Sequence, residues 1–265
     1  APVRLSLFLI ALLLVWLPLA VPISLFLSHD PNLVTILTMG LLFGEFLWLL
    51  RWWGKHAYRQ PQLLNYYGLK GTRQNGLDLL KGLSIGLLFV FALFALEGLL
   101  GWLEFQTPQP GLPRLIVEGL VSALGIGFAE ELVFRGWLLE ELQRDYSPKT
   151  ALWADAIIFA VSHFLKPLSE VIRTFPGFPG RLLLGWTLVW AKRSSGGLLG
   201  LPIGLHAGLV WGYYIINVGK LVEYSDRVSP WITGVDGDPV AGVMGLLFLG
   251  VLAVWMRKRA ASISE

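Results

Sequence analysis

Two successive glutamates, Glu130 and Glu131, stand in the apolar run Gly127-Phe128-Ala129-Glu130-Glu131-Leu132-Val133-Phe134-Arg135. An ionisable side chain at membrane depth costs about 2.5 to 3.5 kcal/mol on insertion scales, so both need a partner or a wet cavity. Helical spacing puts Glu131 and Arg135 on one face as an i,i+4 pair. Glu130 lies about 100° round the helix and has no local countercharge. An unpaired carboxylate suits a base that takes a proton from water.

Two histidines fall inside apolar segments and can join that chemistry. Phe159-Ala160-Val161-Ser162-His163 puts Asp155, Phe159 and His163 on one helical stripe at i, i+4 and i+8. His206 stands in a Gly-rich apolar run, whereas His29 and His56 lie in or beside loops. Glu130, His163 and His206 can bind a metal such as zinc as a two-His, one-carboxylate set. They can equally activate water directly, with the carboxylate as base and the imidazoles as hydrogen-bond donors. Both readings stay open, and no His-Glu-x-x-His zinc motif is present. The chain has no cysteine, which excludes thiol nucleophiles and thiolate zinc sites. A Gly-x-Ser-x-Gly-like serine and paired intramembrane aspartates are also absent.

Packing accounts for part of this pattern. Glu131 and Arg135 suffice as a buried ion pair that fixes helix packing, and an intramembrane histidine often serves as an interhelical hydrogen-bonder. Neither explanation reaches Glu130.

The elements that must hold these residues are membrane helices. With 55% hydrophobic and 15% charged residues and a mean hydropathy of +0.63, the chain is too apolar for a polar surface over a soluble core. Apolar runs broken by Pro, Gly and charge give eight segments: 5 to 27, 33 to 53, 77 to 103, 112 to 143, 150 to 166, 179 to 193, 199 to 219 and 238 to 256. The expected fold is an all-α, polytopic bundle of about eight transmembrane helices in a single membrane domain, residues 1–265. The stretches 54–75 and 166–180 are expected as loops. The first run is longer than a signal-peptide core and lacks a clean cleavage site, so it is read as a retained helix.

With eight spans, the larger share of Lys and Arg falls on the side of the termini, including Arg51, Lys55, Arg144, Lys149 and the Arg257-Lys258-Arg259 run. The positive-inside rule then makes both termini cytoplasmic. Trp52, Trp53, Tyr213, Tyr214 and Trp255 sit at run ends, where such rings favour the interface. Gly196, Gly200, Gly204, Gly208 and Gly212 form a small-xxx-small stripe for close helix approach, and His206 lies nearly opposite Gly204 and Gly208. The net charge of +3 is spread over short loops, which speaks against a nucleic-acid partner.

The string Glu130-Glu131-x-x-x-Arg135, followed by Phe159-x-x-x-His163 and later by His206, resembles the CPBP family. That family comprises the type II CAAX prenyl endopeptidases and the bacteriocin-processing or immunity membrane proteins, also called Abi proteins. Residues 112–219 carry the resemblance. It implies an eight-helix bundle around an intramembrane polar cavity that opens to the cytosol. It further implies intramembrane endopeptidase activity, with Glu130 as water-activating base, His163 holding the same water and His206 stabilising the oxyanion. Glu131 and Arg135 would orient the site or meet the substrate, a membrane peptide or lipid-modified protein. The family's third motif commonly reads His-x-x-x-Asn, and here Val210 stands four residues after His206. Valine donates no hydrogen bond, which opens a second expectation: a weak or inactive member acting as assembly, scaffold or immunity partner of another membrane protein complex. A transporter or proton relay through Glu97, Glu130, Asp155 and His163 is disfavoured by the lack of an inverted repeat.

Overall fold

The computed structural model describes residues 1–262. In chain order the elements are α1 (Pro2–Phe26), α2 (Pro31–His56), the short α3 (Leu63–Tyr66), α4 (Arg73–Leu99), β1 (Leu103–Phe105) and α5 (Leu112–Glu131). A π-helical segment, Leu132–Leu138, joins α5 to α6 (Leu139–Gln143). There follow α7 (Pro148–Ser162), α8 (Leu168–Thr174), α9 (Phe178–Ser194), α10 (Gly200–Val218), β2 (Val222–Tyr224), α11 (Pro230–Thr233) and α12 (Val243–Ala261).

The protein is an all-α, polytopic membrane protein. Among the described residues, five stretches are long and apolar enough to cross a membrane: α1, α2, α4, the α5-to-α6 stretch and α10. The other three expected spans appear as α7, α9 and α12, of 15, 17 and 19 residues. Several details depart from the sequence reading: the 54–75 stretch, expected as a loop, contains α3, and the last span runs Val243–Ala261 where 238–256 was expected. The 166–180 stretch contains α8 and a 3-10 turn, Phe175–Gly177. The third apolar run stops at Leu99, and Leu103 instead enters a strand that pairs antiparallel with β2, Leu103 opposite Tyr224.

Helix starts follow local chemistry. Asp30 accepts a hydrogen bond from the Leu33 amide ahead of Pro31, Thr72 caps α4 through the Asn75 amide, and Ser147 caps α7 through the Thr150 amide ahead of Pro148. The chain divides into two compact units, residues 1–67 and 68–265. In the first, α1 packs with α2, and the Trp16 indole donates to the Thr38 carbonyl at 3.0 Å.

The second unit is built on α10. Helix α4 runs parallel to it: Gly200 lies against Asn75, Gly204 against Leu79 and Gly208 against Leu83. A Cβ at Gly204 would stand 1.9 Å from the Leu79 carbonyl oxygen, so this approach requires glycine. Gly196 is not in the stripe; it sits in the turn before α10 at φ +64, where an added Cβ would meet nothing within 4 Å, because α10 begins only at Gly200. Asn75 fixes that start, its Oδ1 accepting from the Gly200 amide at 2.6 Å while Nδ2 donates to the Lys70 carbonyl. Helix α5 runs antiparallel on another face of α10, the Trp211 indole donating to the Ile116 carbonyl at 2.9 Å. Helices α7 and α9 are also antiparallel, Gly185 of α9 meeting Ala156 of α7. Alternation of these helices gives the unit two ends. One carries the 68–72, 143–147 and 195–199 turns and the end of α12; the other carries β1, α8, β2 and α11.

Candidate active site

The glycine face of α10 points at α4, which turns His206 toward α5. Its Nδ1 lies 2.9 Å from Glu131 Oε1, and the same oxygen accepts from Arg135 Nη1 at 2.9 Å. Glu131 and Arg135 are wholly buried, so the ion pair expected from spacing is present and is shared with a histidine. An ionised carboxylate only accepts, so His206 Nδ1 carries the hydrogen of this bond and Nε2 is the nitrogen left for other work.

Arg135 is held on every side. Its Nη2 donates to the Gly185 carbonyl at 3.1 Å, its Nε lies 3.5 Å from Asp155 Oδ2, and its guanidinium carbon stands 4.2 Å from the Phe159 ring centroid. Asp155 and Phe159 are fully buried on α7, so two residues of the α7 stripe grip the arginine. The third, His163, is the C-cap of α7. Its Nδ1 donates to the Phe159 carbonyl at 2.8 Å, which turns Nε2 outward.

Glu130 receives both outward nitrogens. Its Oε2 is 3.9 Å from His163 Nε2 and 4.0 Å from His206 Nε2, and this buried oxygen has no hydrogen-bond partner. The structure therefore brings Glu130, His163 and His206 to one point, with Glu131, Arg135, Asp155 and Phe159 behind them. Glu130 and His163 are about a third exposed at the side chain, whereas His206 is 5% exposed.

The residues do not form a closed metal centre. Two ligand atoms 2.0 to 2.2 Å from a tetrahedral zinc lie roughly 3.4 Å apart, and both carboxylate-to-imidazole separations exceed that. Among the described residues no group of three or more His, Asp or Glu side chains is arranged to hold an ion. Separations of 3.9 and 4.0 Å leave room for one water bridging Glu130 to an imidazole.

Three supporting groups had no signal in the sequence. The π segment shifts the hydrogen-bond ladder so that the Leu139 amide bonds the Phe134 carbonyl, five residues back. The Arg135 carbonyl accepts instead from Lys192 Nζ at 2.7 Å, and Lys192 also pairs with Glu140. Lys192 reads in the sequence as one more end charge of its span, yet it is 3% exposed. The Gly185 carbonyl is the third group, brought near Arg135 by the close approach of α9 to α7.

Val210 lines an apolar cavity beside His206, together with Val90, Leu93, Leu209 and Leu252. The same cavity takes in Tyr213, whose hydroxyl donates to the Gly237 carbonyl, so this tyrosine is a wall residue and not a free interface anchor.

On the short α8, Arg173 bonds both Glu170 and Asp236, and the Glu170 carboxyl is held below its ordinary value by that arginine. Searches of curated proteins and of solved structures found no match. Over residues 112–212, the stretch that carries Glu130, His163 and His206, the chain matches the model of the Rce1-like family, described as type II CAAX prenyl endopeptidase Rce1-like, the group its motifs resemble.

Proposed function

We propose that this protein is an intramembrane endopeptidase that hydrolyses a peptide bond with water activated by Glu130. One observation carries the reading: the unpartnered Oε2 of Glu130 faces the Nε2 atoms of two histidines whose Nδ1 atoms are both engaged. A carboxylate oxygen accepts, and so does Nε2 of an imidazole that carries its one hydrogen on Nδ1, so all three atoms can accept. A water placed there gives one hydrogen to Glu130 and the other to His163, and its lone pair is free for the scissile carbonyl. His206 donates to the developing oxyanion from Nε2 when both ring nitrogens carry hydrogen, a form whose charge Glu131 faces at 2.9 Å. Glu130 then passes its proton to the leaving amine, which completes acyl transfer to water. Arg135, Asp155 and Phe159 act as positioning residues. No metal takes part in this scheme, so a chelator leaves the rate unchanged.

The substrate is a membrane peptide or a lipid-modified protein. The protein lies in the membrane with both termini on the cytoplasmic side, an orientation supported by the excess of Lys and Arg at that end.

The test is peptide release by the purified protein in detergent. A general base is worth about 10² to 10⁴ in rate, so Glu130→Gln and His163→Ala should each lower turnover at least a hundredfold without loss of folding. Turnover that survives both substitutions refutes the assignment.

Val210 favours one competing reading, a scaffold or immunity partner of another membrane protein complex. Under it, Glu130→Gln supports full function in cells, and the protein co-purifies in fixed ratio with its complex.

A further inference from the structure

Helix α12 has two unlike faces. On the inner one, Leu252 and Met256 are fully buried with Phe159, Leu188 and Leu205 behind the site. On the outer one, Leu247, Val251 and Val254 are each more than half exposed.

Side chains four residues apart form ridges along a helix. One ridge of the outer face is Leu247, Val251, Trp255 and Arg259; the next is Leu246, Gly250, Val254 and Lys258. Gly250 is a gap in the second ridge, since a Cβ built there would meet nothing within 4 Å. The outcome is a shallow furrow of about 570 Å³ that is apolar along its length and ends at Lys258. From Leu246 to Lys258 the helix rises about 18 Å. That is close to half of the roughly 30 Å hydrocarbon core, the depth of one leaflet. The furrow therefore has the length of one acyl chain.

Its polar end is marked independently. The Arg259 guanidinium carbon stands 5.4 Å from the Trp255 ring centroid, and an indole at the end of a span favours headgroup level. Both ridges end in a cation, Arg259 on one and Lys258 on the other, with Arg257 beside them. Arg114, Arg173 and Arg181 each have an acidic partner. Among the described residues no ion pair takes up Arg257, Lys258 or Arg259. A protein helix laid along the furrow would cover its apolar part and leave these cations without a counter-charge. A lipid with an anionic headgroup satisfies both with one molecule.

We propose that the furrow on α12 binds an acidic phospholipid, with an acyl chain between the two ridges and the phosphate between Lys258 and Arg259. The site stands apart from Glu130 and is independent of the hydrolase reading.

The test uses the purified full chain, delipidated in mild detergent and given phosphatidylglycerol or phosphatidylcholine with identical acyl chains. Native mass spectrometry counts the lipids retained. Unfolding is followed in parallel, because a ligand of the folded chain raises its midpoint. A cation near the membrane surface is worth about fivefold in affinity for acidic lipid, so two should give one phosphatidylglycerol per chain a preference of roughly 25-fold. Lys258→Gln/Arg259→Gln should remove that preference and leave phosphatidylcholine binding as it was. Gly250→Leu fills the gap without altering a charge and should weaken both lipids alike, at an unchanged midpoint in the absence of lipid. Lys149→Gln, an exposed cation outside the furrow, should change neither. Glycerophosphoglycerol, the headgroup without chains, should not displace the lipid.

Equal retention of the two lipids, or a preference that survives Lys258→Gln/Arg259→Gln, overturns the proposal. Unaltered retention in Gly250→Leu, or displacement by the chainless headgroup, does the same. A parent chain that holds neither lipid but forms a dimer, or retains a second protein that Gly250→Leu releases, overturns it in favour of a protein on this face.

Discussion

Replacing Val210 with asparagine should raise turnover, and the size of the rise follows from the site. Val210 stands one helical turn after His206 on the same face of α10 and lines the same cavity. Side chains at i and i+4 have Cβ atoms about 5 to 6 Å apart, so a carboxamide at 210 reaches the space beside the imidazole. If His206 already supplies one donor to the oxyanion, the amide supplies a second. An oxyanion-hole donor is worth about 10² to 10³ in turnover, or about 2.7 to 4 kcal/mol. Against this, an amide set in an apolar cavity without a ground-state partner costs about 1 to 3 kcal/mol. That cost falls on folding stability and is relieved only when the oxyanion forms. The substitution should therefore lower thermal stability while raising turnover by at least tenfold, with little change in KM. The assay is release from a quenched-fluorescence peptide in micelles, with unfolding followed in parallel. Val210→Ala, which adds no donor, should show no rise, and the double variant Glu130→Gln/Val210→Asn should be silent. A folded Val210→Asn protein no faster than the parent, beside an active parent that Glu130→Gln abolishes, would refute the oxyanion role given to His206.

Other outcomes follow from the layer behind the site. Arg135→Met leaves Glu131 and Asp155 buried without a cation, and breaking such a pair costs about 3 to 5 kcal/mol. Arg135→Lys should fail nearly as badly, because one ammonium cannot replace a fork that reaches Glu131, Asp155 and the Gly185 carbonyl together. Both show as lower midpoints in detergent unfolding, and Arg135→Met/Glu131→Gln/Asp155→Asn should recover stability without activity. Gly204→Leu forces a side chain into the Leu79 carbonyl and should abolish folded protein on size-exclusion chromatography. Gly125→Ala, with nothing within 4 Å of its new Cβ, should be neutral or add about 0.5 to 1 kcal/mol.

The helices and the Glu131–Arg135 pair were legible in the sequence because both rest on local spacing, whereas the grouping of Glu130 with His163 and His206 was implied by the family resemblance. Apolar run length located every long helix within a few residues, and the 100° step separated Glu130 from Glu131 and His206 from the glycine face. Contacts that depend on distant segments left no such trace. Nothing local distinguishes Lys192 from Arg193 beside it. One is buried against the Arg135 carbonyl and the other reaches the Pro148 carbonyl, and only the packing of α9 decides which. The strand pair was hidden for the same reason, since Leu103 and Tyr224 meet only once the ends of α4 and α10 lie side by side.

The π segment is where local and distant causes meet. A regular helix from Leu112 to Gln143 would let the Arg135 carbonyl accept from the Leu139 amide and would leave Lys192 a buried ammonium with Glu140 alone. The widened turn gives that amide to Phe134 and hands the Arg135 carbonyl to Lys192. Arg135 is then held at its backbone by α9 and at its side chain by α7, while Glu131, one turn earlier, is still on regular helix and can face His206. The motif Glu130-Glu131-x-x-x-Arg135 thus straddles a change of helical pitch: its glutamates belong to the helix that faces α10, and its arginine belongs to the turn that faces α7 and α9. That division is what lets one short sequence motif bring three helices to a single oxygen, Oε2 of Glu130.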